Sequence, residues 1–346
     1  MNKVKNILVT GGTGFIGSHT VVQLLDAGYQ VIIADDLSNS REEVVDSIEQ
    51  ITGIRPEFVK ADLCDPAQCN DLFDRFEIDA VIHFAAKKLV GESVEKPLDY
   101  YHTNLVSLMN VIRDCVRTNV RNFVFSSSCS VYGQPEQLPV PETADLMKAE
   151  SPYGNTKKVS EDILRDVART GGLEVISLRY FNPVGAHSSA LIGEYPLNQP
   201  SNLMPVITQV AAGKREQLMV FGNDYDTPDG TCVRDYIHVV DLADAHVAAL
   251  RYLEKKRTEK NTGFETFNVG TGKGVSVLEV ISSFEQVNQV KVNYKIADRR
   301  PGDVEKVYGD TSRINEIMGW KAKLSVDDMV KSAWAWECHL TQNIDA

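Results

Sequence analysis

The stretch KNILVTGGTGFIGSH, residues 5–19, passes from an unbroken apolar segment into a cluster of glycines and then into residues that suit a helix. An apolar run of this length, closed by glycine, reads as a strand buried on both faces. Gly11, Gly14 and Gly17 stand at G-x-x-G-x-x-G spacing. Glycines placed so permit a tight turn, close approach of backbone to a pyrophosphate, and tight helix–strand packing. The helix that follows, opening at Phe15 and Ile16, presents its amides and positive end to the phosphates. The stretch therefore predicts the first strand, turn and helix of a doubly wound parallel α/β sheet that holds a dinucleotide.

The same rhythm continues outward. YQVIIADD, PEFVKADL, DAVIHFAA, NFVFSSS and LEVISLRYFN are further apolar strands, and GSHTVVQLLDAG, PAQCNDLFDRF and DYYHTNLVSLMNVIRDCVRTN read as helices between them. Such alternation gives a parallel sheet with helices on both faces. Past residue 183 the rhythm breaks into long polar loops, HSSALIGEYPLNQPSN and GNDYDTPDGTC, of the kind that carry binding residues. Helices recur at LMPVITQVAAGK, VVDLADAHVAALRYLEKK and SVLEVISSFEQV. The expected organisation is a nucleotide-binding domain over residues 1–182 and a smaller C-terminal α/β substrate domain over 183–346. Part of 233–260 is expected to return and pack on the first domain.

Composition limits what such a sheet can serve. With 346 residues, 43% hydrophobic and 24% charged, the chain is an ordinary globular protein able to bury a large core. No apolar run approaches the roughly 18–20 residues of a membrane helix. The N-terminal MNKVKNILVTGG ends its apolar run in glycines, which reads as a strand and not as a secretory leader. A net charge of −12 argues against nucleic acid or an anionic membrane as partner, while leaving room for a small anionic substrate in a local pocket. The six cysteines (64, 69, 115, 129, 232 and 338) are scattered without a C-x-x-C pair. That pattern suits buried thiols in a reducing cytoplasm, with neither a disulfide frame nor a metal site expected.

Asp35 closes the second strand about twenty residues beyond the last glycine, where a carboxylate accepts hydrogen bonds from an adenosine ribose. It would repel a 2′-phosphate, so the expected cofactor is NAD and not NADP. Asp36 is the alternative contact, with Asn39 and Ser40 beside it. Asp62 and Leu63 end the third strand, where they can meet the adenine; a helix cap is the competing role for Asp62. At the end of the strand NFVFSSS, Ser126, Ser127 and Ser128 emerge at the ligand edge, and SPYGNTK follows at the head of the next helix. Tyr153 and Lys157, four residues apart, share a helix face. Bringing a tyrosine from a pKa near 10 to about 7 costs about 4 kcal/mol. One cation some 4 Å away supplies about that much at an effective dielectric near 20. Lys157 together with a positive nicotinamide would let Tyr153 serve as a base toward an alcohol or sugar hydroxyl.

The glycine loop, the strand-end serines and Y-x-x-x-K together resemble an extended short-chain dehydrogenase/reductase, a Rossmann-type fold, over essentially the whole chain. HFAAKKLVGES, FSSSCSVYG, SPYGNTK, RYFNPVGA, NLMPVITQVAAG, FGNDYDTPDGTCVRDYIHVVDLADAH and RRPGDVEKVYGD resemble the UDP-glucose 4-epimerases in particular. The resemblance implies reversible 4-epimerisation of UDP-glucose and UDP-galactose through a 4-keto sugar, with tightly bound NAD and a homodimer. It implies Tyr153 as base, Lys157 as the cation that tunes it and holds the ribose, and Ser128 as the hydroxyl on the same sugar oxygen. Lys88 matches a lysine near the pyrophosphate, Tyr180 a residue near the nicotinamide, and Phe84, Ala85, Ala86 and Ser126 line the cofactor site. Asn104 orients Lys157 through water or packs its helix.

For the sugar nucleotide the resemblance implies Phe181, Asn182 and Asn202 at the diphosphate and sugar, and Leu203 and Phe221 at the uracil. Arg234 and Arg300 neutralise the diphosphate, and Asp303 takes the ribose. For each arginine the competing role is an ion pair, with Asp235 or Asp303; Arg299 is the surface residue of its pair. Val307 stands where the family gates the C2 substituent of the hexose, and its small side chain implies room for an N-acetyl group. A 4,6-dehydratase would carry an Asp-Glu pair after the serine strand, which SSSCSVYG lacks. Epimerases of UDP-pentoses or UDP-uronates, and a non-catalytic NAD sensor on the same fold, are the remaining alternatives.

Overall fold

The computed structural model describes residues 5–196, 200, 202–256, 263–300 and 303–344. The first half runs β1 (Asn6–Thr10), α1 (Phe15–Asp26), β2 (Gln30–Asp35), α2 (Glu43–Thr52), β3 (Glu57–Lys60), α3 (Pro66–Arg75) and β4 (Ala80–His83). It continues through α4 (Val90–Glu95), α5 (Pro97–Tyr101), a π-turn (His102–Val106), α6 (Ser107–Thr118), β5 (Asn122–Ser126), α7 (Pro152–Arg169) and β6 (Glu174–Tyr180). The second half contains β7 (Asn182–Val184), α8 (Leu203–Ala211), β8 (Leu218–Phe221), β9 (Val233–Arg234), β10 (Tyr236–His238), α9 (Val239–Lys256) and β11 (Phe264–Val269). It closes with β12 (Val275–Ser276), α10 (Val277–Asn288), β13 (Tyr294–Ala297), β14 (Lys306–Val307), α11 (Ser312–Met318) and α12 (Val326–Ile344).

The main sheet has seven strands in the order β3-β2-β1-β4-β5-β6-β11, all parallel. The continuous apolar run of β1 is explained by its two neighbours. Ile7 and Val9 face a core built with Val21 and Leu24 of α1, Ile48 of α2 and Leu242 of α9. Leu8 faces the opposite core, with Leu72 of α3, Val111 of α6 and Leu164 of α7. Helix starts follow local chemistry: Asp65 accepts from the Ala67 amide ahead of Pro66, and Ser151 accepts from Gly154 ahead of Pro152.

Three features differ from the sequence reading. The long helix expected over DYYHTNLVSLMNVIRDCVRTN is broken into α5, the π-turn and α6, the extra residue in the turn displacing Asn104 from a regular helical position. The seventh strand, β11, is supplied by the second half and pairs with β6. Helices α2, α11 and α12 had no expectation attached to them. In the expected return over 233–260, α9 packs on α1, while 257–260 lie outside the described residues. A second core gathers α8, α10, α12 and β8 around Ile207, Phe284 and Met329. Among the described residues no helix is long and apolar enough to cross a membrane.

Four histidines, His19, His83, His238 and His246, are 0–3% exposed. Burial holds His19 and His83 down to about 3 and His238 and His246 to about 4. Their folded values lie below the unfolded 6.5, so neutral imidazole favours the fold: the contribution is complete above pH 6.5 and is lost as pH falls toward 3–4. Each therefore withdraws about 1.4 kcal/mol per pH unit below 6.5. The urea midpoint should fall steadily from pH 6.5 to 5; a flat profile would contradict the burial of these rings.

Candidate active site

The carboxyl ends of the strands open onto a cleft of about 330 Å³. Its floor is the glycine turn. Gly11 has φ +70°, and a Cβ there would stand 2.8 Å from the Ala85 amide nitrogen. At Gly17 a Cβ would stand 2.2 Å from the Gly11 carbonyl oxygen, so α1 approaches the turn as closely as a bare Cα permits. Gly14, Phe15 and Ile16 complete this wall of the cleft. Asp35, 8% exposed, accepts from the Thr13 amide (3.2 Å), the Leu37 amide (3.0 Å) and the Ser40 hydroxyl (3.0 Å). It thereby ties the glycine turn to the loop after β2. Asp36 is engaged with Ser38 (2.8 and 2.6 Å), on the exposed side of that loop. Asp62 lines the cleft and accepts from Cys64; the cap of α3 is Asp65, so the alternative cap role for Asp62 falls away.

Asn39, Leu63, Phe84, Ala85, Ala86, Lys88, Ser126, Tyr153, Lys157, Tyr180 and Asn202 also line this cleft. Asn104 does not: its amide accepts from the Lys87 backbone (2.8 Å) and donates to the Lys87 carbonyl (3.1 Å) and Thr156 hydroxyl (3.0 Å). The π-turn thus uses Asn104 to pin the loop after β4 to α7.

Lys157 is 4% exposed and donates to the Ser126 carbonyl at 2.7 Å, with its ammonium 4.9 Å from the Phe125 ring centroid. Burial draws its pKa down to about 8, opposed by the charge of Glu161. Tyr153 sits in the first turn of α7. Burial pushes its phenol well above 10, Tyr180 adds to the rise, and the Ser128 hydroxyl opposes it. In the protein alone, burial dominates at this phenol; the expected activation by Lys157 also calls for a positive nicotinamide. Ser128 caps the short turn 129–132, accepting from Ser130, and Tyr180, pushed up to about 12 by burial, accepts from Ser126 at 3.1 Å.

The residues expected at the sugar nucleotide fall into smaller groups beside the cleft. Val307, 8% exposed, packs with Phe181, Val131 and Tyr132, and pairs with Arg234 across β14–β9. Arg234 donates to the Val233 and Glu305 carbonyls. Its alternative partner, Asp235, is fully buried and instead accepts from the Thr271 amide and hydroxyl and the Gly272 and Gly309 amides. Arg300 does pair with Asp303 (3.2 and 2.7 Å), and its guanidinium lies 5.5 Å from the Phe221 ring. Arg299 pairs with Asp224 on the surface. Asn182 donates its amide to the Asp235 carbonyl, and Leu203 opens α8 directly after Asn202.

One residue of the site went unread. Glu194 accepts from Lys88 (3.1 Å) and from Asn202 (2.9 Å), joining the two halves across the cleft. The Trp336 indole donates to its carbonyl. The long polar loop HSSALIGEYPLNQPSN gave the place, but no spacing in it marked this carboxylate.

A parallel sheet with a glycine turn, a carboxylate at the end of the second strand and a buried Tyr–Lys–Ser group defines the nucleotide-dependent dehydrogenase/reductase class. The model of the family described as GDP-mannose 4,6 dehydratase matches residues 8–333. UDP-glucose 4-epimerase of Pasteurella multocida is 48% identical over 332 residues, 96% of this chain and 97% of that protein. A Stenotrophomonas maltophila UDP-glucose 4-epimerase structure with bound NAD and formylated UDP-arabinopyranose has a TM-score of 0.94 at 48% identity, covering 98% of this chain and 99% of that one. A Bifidobacterium longum UDP-glucose 4-epimerase in complex with NAD+ and UDP has a TM-score of 0.92 at 45% identity, covering 97% and 98%. The chain belongs to this family, among its UDP-glucose 4-epimerases.

Replacing Gly17 by alanine forces a methyl group into the Gly11 carbonyl. Gly17→Ala should cost roughly 1–3 kcal/mol of stability and reduce the NAD that co-purifies, read by thermal melting and by nucleotide extraction. Full NAD content in the variant would contradict the close approach of α1.

Proposed function

We propose that the protein interconverts UDP-glucose and UDP-galactose at C4 through a 4-keto sugar with tightly bound NAD, and that it also accepts the N-acetylated pair. The observation that carries the reading is the Tyr153–Lys157–Ser128 group, buried beside a glycine cradle with no room for a Cβ at Gly11 or Gly17. That cradle, with Asp35 facing the adenosine side and Lys88 the pyrophosphate, suits NAD in shape and charge. NAD, when bound, accepts hydrogen with its electron pair from the sugar carbon and returns it. Tyr153 Oη takes the 4-hydroxyl proton, and Ser128 Oγ holds the same oxygen. Lys157 would hold the nicotinamide ribose and, as a cation, favour the ionised phenol. Because burial holds the free phenol protonated, a second positive charge beside it is needed for it to act as base, which couples proton transfer to cofactor occupancy.

The diphosphate is assigned to Arg234, Arg300, Asn182 and Asn202, the uridine to Leu203, Phe221 and Asp303, and the hexose to Phe181 and Val307. Arg300, paired here with Asp303, would turn its guanidinium to phosphate oxygens, which it can also meet in bidentate fashion. Residues 1–182, with the 233–260 return, form the NAD half in this reading and 183–346 the UDP-sugar half. The scattered free thiols support a cytoplasmic setting. Met109 and Val116, 40% and 49% exposed on α6, support pairing of α6 and α7 in a homodimer. The turn after β5 reads Ser128-Cys129-Ser130, without the acid pair that elimination needs, which favours epimerisation over the dehydration in the family description. A UDP-pentose reading has support from the arabinopyranose nucleotide held by the Stenotrophomonas relative.

Purified protein without added NAD should convert both UDP-galactose and UDP-GalNAc, followed by anomeric proton NMR. Tyr153→Phe should keep bound NAD and lose about 100-fold or more of turnover; an unchanged rate would favour a sensor. Val307→Tyr should abolish the N-acetyl reaction and spare the glucose one, and equal losses would overturn the assignment of Val307.

A further inference from the structure

Glu161 lies one turn beyond Lys157 on α7 and is fully buried. Its Oε1 accepts from Ser127 Oγ (2.7 Å), Ser177 Oγ (2.8 Å) and Arg179 Nε (3.0 Å), and its Oε2 from Arg179 Nη2 (2.5 Å). Arg179, 3% exposed, also reaches the Tyr132 hydroxyl (3.1 Å) and the Glu142 carbonyl (3.3 Å). A buried ion pair is weak support for stability, because desolvation offsets its attraction. Its value lies in orientation, and here the oriented group is informative.

Ser127 stands between two residues of the site. The carbonyl of Ser126 takes the Lys157 ammonium, and Ser128 faces Tyr153. The Ser127 amide donates to the Leu178 carbonyl at 2.9 Å, so backbone and side chain together fix this turn. Neither Ser127 nor Ser177 lines the cleft itself, but Ser127 adjoins Ser126, which does, whereas Ser177 sits mid-strand in β6 opposite Phe125.

We propose that Glu161, clamped by Arg179, is a positioning residue for the reaction: through the Ser127 hydroxyl it fixes the strand-end turn that carries both the Lys157 acceptor and Ser128. The inference rests on the assignment of Tyr153, Lys157 and Ser128 above. Glu161 also opposes the loss of the Lys157 proton that burial promotes.

Ser127 and Ser177 make a matched pair, since each gives one hydroxyl to the same carboxylate oxygen from a buried site. Ser127→Ala in the NAD-loaded protein should lower kcat about tenfold or more with KM for UDP-galactose unchanged, and should speed NAD release on gel filtration. Ser177→Ala should lose a similar amount of thermal stability and leave kcat and NAD release as they were. Equal effects of the two variants on kcat and on NAD release, or none from Ser127→Ala, would overturn the proposal. Ser127→Cys, close in size and a weak donor, serves if the alanine variant does not fold, and the same split is expected. If the parent protein turns over no UDP-galactose, the epimerase reading fails, and the NAD-release comparison still decides the positioning role.

Discussion

Lys157 donates to the carbonyl oxygen of Ser126 across 2.7 Å in a region closed to solvent, and through that contact α7 is held against the end of β5. An ammonium buried in this way is costly unless its hydrogen bonds are placed. The carbonyl ends a strand paired on both sides, with β4 and β6, so the charge is held by an inner strand of the sheet. Tyr153, one turn earlier on the same helix face, is positioned as a consequence. The spacing of four between the two residues therefore puts a buried phenol and a fixed cation at one strand end.

The second half is joined to this frame through Asp235. Its backbone accepts from the Asn182 amide and donates to Val307, and its carboxylate gathers the turn after β11 and Gly309. A Cβ at Gly270 would stand 2.3 Å from this carboxylate, so the junction is closely packed. Arg234 and Val307, proposed for the diphosphate and the adjoining hexose, are thereby carried on paired strands anchored to the main sheet.

Much of this was legible locally. Six strands of the sheet are largely apolar runs because helices cover both faces, and the glycine spacing reports a contact between Gly11 and Gly17 that lies within a short stretch of chain. Asp35, Tyr153 and Lys157 were found because strand ends and helix faces have fixed geometry. What escaped depends on distant partners. FETFNV has a mixed burial pattern at the sheet edge, and only pairing with β6 makes it the seventh strand. Glu194, Glu161 and Asp235 are single carboxylates whose partners lie up to 106 residues away. The separation of Asn104 from the cleft follows from a π-turn, which has no local sequence signature. The burial of the Tyr153 phenol escaped for a similar reason: spacing shows that a cation is near, whereas burial is a property of the whole fold.

The central claim is that hydrogen leaves and returns to the same sugar carbon while Tyr153 handles the hydroxyl proton. The most direct measurement uses UDP-galactose deuterated at C4, converted in ordinary water and examined by NMR and mass spectrometry. Retention of deuterium at C4 in the UDP-glucose formed is the predicted result. Its replacement by solvent hydrogen would contradict the account.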